Sequence, residues 1–114
     1  MRDEVISAVR SLADREHQQR VWVERRFPHP GYFDDFSLSL NILDDATVLD
    51  RPHKAVGFTL RSGHEAEAMA RLAERLDEVL RAVGRQEPDA AFLASPLWAQ
   101  VVSAANDALH TLTC

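Results

Sequence analysis

Phe36, Leu38, Leu40 and Ile42 alternate with Ser37, Ser39 and Asn41, a period of two that puts the apolar side chains on one face and the polar ones on the other. The pattern predicts a half-buried strand over 36–43, bracketed by Asp34-Asp35 and Asp44-Asp45. Val56, Phe58 and Leu60 alternate in the same way with Gly57 and Thr59, which predicts a second strand over 55–60 pairing back antiparallel on the first. The connection between them is too long for a two-residue hairpin. Its Thr47-Val48-Leu49 stretch leaves a short third strand open. So small a sheet is marginal alone, so helices must cover its apolar face.

Val5, Ile6, Val9, Leu12 and Ala13 recur at helical spacing, which predicts a helix over about 3–20, with Asp14 as an interruption able to act as a new N-cap. Residues 21–24 suit a strand by composition and a helix by continuation, and are read as helix. Phe27-Pro28-His29-Pro30-Gly31 is a loop, since two prolines and a glycine forbid regular structure. Ser62-Gly63-His64-Glu65 is a capping box, with Glu65 expected to reach back to the Ser62 amide. It opens a helix over 63–83 with Glu67/Arg71 and Asp77/Arg81 as outward ion pairs, and Gly84 ends it. Ser95-Pro96 starts a last helix over 96–112. The prediction is a single α+β domain over 1–114, with Phe36, Leu38, Leu40, Val56, Phe58, Leu72, Leu76, Val101 and Leu109 in one core.

Composition narrows the function classes. At 114 residues and 46% hydrophobic, the chain can bury a core without disulfides or metal, and its one cysteine, Cys114, has no intramolecular partner. A formal net charge of -5 argues against nucleic acid or an anionic membrane and suits a basic protein partner. No apolar run approaches the ~20 residues of a membrane span, and the opening Met1-Arg2-Asp3-Glu4 lacks the apolar stretch of a secretory signal, so the expected compartment is the cytoplasm.

The chemistry is sparse. Asp34, Asp35, Asp44, Asp45 and Asp50 carry oxygen suited to a hard cation, but an extended strand would hold the two pairs roughly 30 Å apart, so no metal site is expected. His17, His29, His53, His64 and His110 match no zinc spacing. With no nucleophile elbow, phosphate-binding loop or dinucleotide fingerprint, the sequence points away from an enzyme and from a cofactor. Trp22, Tyr32, Asp34, Asp35, Asp44 and Asp45 remain as an acidic and aromatic surface for a protein partner. Two alternatives stay open: a small enzyme or ligand-binding protein with a pocket between sheet and helices, and a structural homo-oligomer. A homodimer through free strand edges would satisfy their unpaired backbone groups.

Arg20-Val21-Trp22-Val23-Glu24-Arg25-Arg26-Phe27-Pro28, then Tyr32-Phe33-Asp34-Asp35-Phe36, Leu43-Asp44-Asp45 and Ser95-Pro96-Leu97-Trp98, resemble a family of small actinobacterial proteins without an established activity. Asp14-Arg15 departs from the Asp-Pro expected there at a helix start. The resemblance implies no catalytic residues. At the level of class alone, small acidic proteins of this kind are similar to immunity proteins of bacterial toxin systems, which implies a non-enzymatic inhibitor or accessory protein.

Overall fold

Asp35 decides the conformation of the alternating segment. Its side chain accepts the Leu38 amide at 2.7 Å, a side-chain N-cap that nucleates a helix where the period of two suggested a strand. In the computed structural model, which describes residues 1–113, the segment is a helix. The order is α1 (Arg2–Ala13), α2 (Arg15–His17) running into a π-helical turn (Gln18–Val23), α3 (Phe36–Asp45), a 3-10 turn (Pro52–Ala55), α4 (Gly63–Val83), α5 (Asp89–Leu93) and α6 (Trp98–Thr113). Cys114 lies outside the described residues.

The α+β class and its antiparallel sheet are therefore overturned: among the described residues there is no sheet, only an isolated bridge between Val56 and Leu60. The physical reason at 36–43 is that the same letters also satisfy a helical period. Phe36, Ser39 and Leu43 turn inward, with Leu40 half-buried beside them. Residues 47–49 belong to the turn after α3. At 55–60 the 3-10 turn and Gly57, at φ +95°, reverse the chain. Ala55 O accepts from both Phe58 N (3.0 Å) and Leu60 N (3.1 Å), and Gly57 N donates to Leu60 O at 2.8 Å. Leu60 is buried there while Phe58 is 86% exposed.

The core lies between α6 and the helices on either side of it. α6 packs along α1 and along α4, α3 lies on α1, and the 3-10 turn sits against α4. Of the predicted core, Phe36, Leu72, Leu76 and Val101 are buried, Leu40 and Leu109 pack at its edge, Leu38 is half-buried, and Val56 and Phe58 lie outside.

Two polar ties fix the helices to one another. The predicted 3–20 helix is broken at Asp14, whose carboxylate caps α2 by accepting His17 N at 3.0 Å. The end of α1 would leave carbonyls without partners, and the fully buried Gln18 meets two of them, Ser11 O (2.8 Å) and Leu12 O (2.9 Å), while its Oε1 accepts the Trp98 indole N–H at 2.9 Å. The second tie is Arg2, which donates to both Glu65 carboxylate oxygens (2.8 and 2.9 Å), to Thr59 O (2.8 Å) and to Leu112 O (3.1 Å). Glu65 also accepts the Arg61 amide at 2.8 Å, one residue before the amide that the capping box predicts. No helix is long and apolar enough to cross a membrane among the described residues.

Candidate functional site

The end of α3 shapes the site. Thr47 N donates to Asp44 O (3.0 Å) and Val48 N to Leu43 O (3.3 Å), the paired bonds of a Schellman motif. Glycine is usual at the left-handed position, but here Thr47 takes φ +59°, a strained conformation for a β-branched residue. The turn brings Leu49 and Asp50 beside α4. There, Leu40, Leu49, Leu76 and Leu80 supply apolar lining to an open groove of about 500 Å³, closed by Pro52, His53 and Arg85.

Four carboxylates line this groove: Asp44, Asp50, Glu74 and Asp77. Asp77 is paired with Arg81 at 3.1 Å, and Arg85 is the one permanently cationic lining residue among those described. Burial pushes the Asp44 carboxyl above its ordinary range, the charges of Asp50 and Asp45 push it the same way, and Arg85 opposes them. An apolar lining with excess negative charge suits a cation carried on an apolar stem, which is the chemistry of lysine and arginine side chains.

The six residues predicted as a contact surface separate into two groups. Trp22 (2% exposed) and Asp34 (8%) are inside: Asp34 Oδ2 accepts Trp22 Nε1 at 2.9 Å and lies 2.8 Å from His17 Nε2. Trp22 stacks on Phe36 and meets Trp98 edge-on, so neither Trp22 nor Asp34 has free surface to offer. Asp35 is committed to the α3 cap. Tyr32 is half-buried against Phe27 and His29, and burial, with Asp34 adding to it, raises its phenol pKa. Asp44 and Asp45 are exposed. Because α3 is a helix, rising about 1.5 Å per residue, Asp35 and Asp44 are roughly 14 Å apart rather than ~30 Å. Even so, no group of three or more His, Cys, Asp or Glu is placed to hold a metal among the described residues.

Sequence reasoning set Asp50 beside Asp44 only as a candidate cation ligand and missed Glu74 and Asp77 as their companions, because α3, its following turn and α4 converge only in three dimensions. A usable signal lay in Asp77 and Glu74, whose spacing puts both on one flank of the 63–83 helix. His53 is the histidine that lines the groove; His29 and His64 are exposed elsewhere. The His17–Asp34 pair lines neither this groove nor the two smaller clefts, one beside Arg15, Gln19 and Leu93 and the other beside Arg71, Arg75 and Ser103.

The family described as Domain of unknown function (DUF7945) matches residues 1–114. The chain belongs to that family. No curated protein and no solved structure matches it. For this DUF7945 member, the physical case for a site therefore rests on the groove between α3 and α4.

Proposed function

We propose that this DUF7945 protein is a non-enzymatic protein-binding domain, an accessory protein or immunity-type inhibitor, whose α3–α4 groove receives a basic segment with an apolar tip. The supporting observation is the placement of Asp44, Asp50, Glu74 and Asp77 around leucine side chains in one groove. Like-signed carboxylates repel one another in the free protein, and a cationic partner relieves that repulsion while steering association. The surface is thus the Asp44–Asp45 end of α3, not Trp22 and Asp34. The proposed compartment is the cytoplasm, which a chain with a single cysteine suits.

A fluorescein-labelled synthetic peptide of lysines and leucines at helical spacing tests the reading by anisotropy. Binding is expected to weaken as salt rises and to fall about tenfold with Asp44→Asn combined with Asp50→Asn, through loss of the charge attraction. Asp107→Asn, on the exposed side of α6, should leave it unchanged. With the chain monomeric, absent binding, or binding indifferent to salt and to the paired substitution, would overturn the reading.

A further inference from the structure

Phe58 is 86% exposed and the adjoining Val56 36%, yet the turn that carries them is firmly held. Gly57, Phe58 and Leu60 make its three backbone hydrogen bonds, and the Thr59 carbonyl accepts the Arg2 guanidinium, itself locked on Glu65. A large aromatic ring presented on a preorganised turn loses little entropy when it docks, the property that makes such residues interface anchors. The local charge is distinctive too. From Arg51 to His64 there is no acidic residue, although the chain holds 18, while Arg51, Lys54 and Arg61 are all exposed. The chain therefore carries both a basic, aromatic-tipped knob and an acidic, leucine-lined groove.

Resting on the reading of the groove given above, we infer that the occupant of the groove is the Phe58 turn of a second copy of this chain, in a reciprocal two-fold dimer. Phe58 and Val56 enter between the lining leucines, and Arg51, Lys54 and Arg61 meet Asp44, Asp50 and Glu74. The knob does not fill the groove of its own chain: Phe58 is 86% exposed, and neither it nor Val56 lines the groove. Knob and groove are neighbours, because Pro52 and His53 line the groove and Phe58 N is bonded to Ala55 O at the end of the same 3-10 turn. Two adjacent complementary features are what a closed, isologous contact requires, since one two-fold axis then satisfies both docking events. Free strand edges play no part, as the described residues form no sheet.

Sedimentation velocity on the full chain across the micromolar range tests the dimer. A dimer that weakens with salt is expected. Phe58→Asp should raise its dissociation constant about thirtyfold or more without moving the thermal midpoint at concentrations where both proteins are monomeric, because the ring is exposed in the single chain. Asp50→Arg, in the groove, should weaken it comparably. Mixing the Phe58→Asp and Asp50→Arg proteins should restore association in part, since the intact knob of one meets the intact groove of the other. A chain that stays monomeric at low salt, a dimer unaffected by Phe58→Asp, or a mixture no better than its components would each overturn the inference. The lysine–leucine peptide separates the two claims: if it binds a monomeric chain at the groove, self-docking alone falls, and if it also fails to bind, the groove reading falls with it.

Discussion

A carboxylate oxygen shared by an indole and an imidazole is a packing element before it is anything else. Asp34 holds Trp22 Nε1 at 2.9 Å and His17 Nε2 at 2.8 Å, and Trp22 in turn braces Phe36 and Trp98. Replacing Asp34 by Ala removes the oxygen that both donors share, so the buried Trp22 indole and the His17 imidazole lose their acceptor together. Hydrogen bonds to a charged group contribute about 1.5–3 kcal/mol, and Asp34→Ala should cost at least that much in urea unfolding. The folded fraction should bind the lysine–leucine peptide as before, since Asp34 does not line the groove. An unchanged unfolding midpoint would show that the shared oxygen does not hold the aromatic cluster. This reverses the expectation for an exposed recognition patch, in which the substitution would alter binding and spare stability.

For α3 the two periodicities make opposite demands on Leu43. On a strand, Leu38, Leu40 and Ile42 share the inner face and Leu43 points away; on the helix, Leu43 is fully buried two turns after Phe36 and Leu38 is half-buried. Leu43→Ala should therefore cost about 2–5 kcal/mol, with Leu38→Ala well below it; the reverse order in chemical denaturation would refute the helix. Much of the rest was legible. The Ser62 cap with its long apolar stripe marked α4, and Ser95-Pro96 marked the approach to α6. What misled at α3 was a seven-letter alternation too short to distinguish the periods, although Asp35 just before it was a readable cap. At 55–60, Gly57 carried the turn signal that the alternation obscured. Of the groove's carboxylates, Asp44 and Asp50 were legible as neighbouring acids, while Glu74 and Asp77 come from a distant helix.

Across the whole molecule, acid sensitivity follows from opposing carboxyl shifts. The Arg2 hydrogen bonds, with the Arg61 amide assisting, hold Glu65 below its ordinary value of 4.5 against the opposing effect of burial. A depressed folded-state pKa gives stability that is present above the unfolded value and is lost as pH falls through the lower folded one. Asp89, whose carboxylate accepts the Phe36 amide at 3.1 Å, is raised from 3.8 chiefly by burial, with Asp35 and Asp34 adding to the shift. Its folded state holds the proton more tightly than the unfolded state, so its contribution runs the other way: favourable in acid and lost as pH rises from 3.8 through the raised value. Thermal midpoints across the acid range should accordingly fall less steeply for Glu65→Gln than for the native chain, although Glu65→Gln starts lower near neutrality. Parallel curves would remove the Arg2–Glu65 tie from the acid response.

The position of α6 also bears on how the chain is made. α1 and α4 both turn their apolar stripes toward α6, Gln18 waits for Trp98 and Arg2 for Leu112. During vectorial synthesis, a nascent chain that has emerged only as far as Ser95 exposes helices whose partner is still inside the ribosome. Such a chain offers apolar surface to chaperones until α6 emerges, so closure of the core waits on α6.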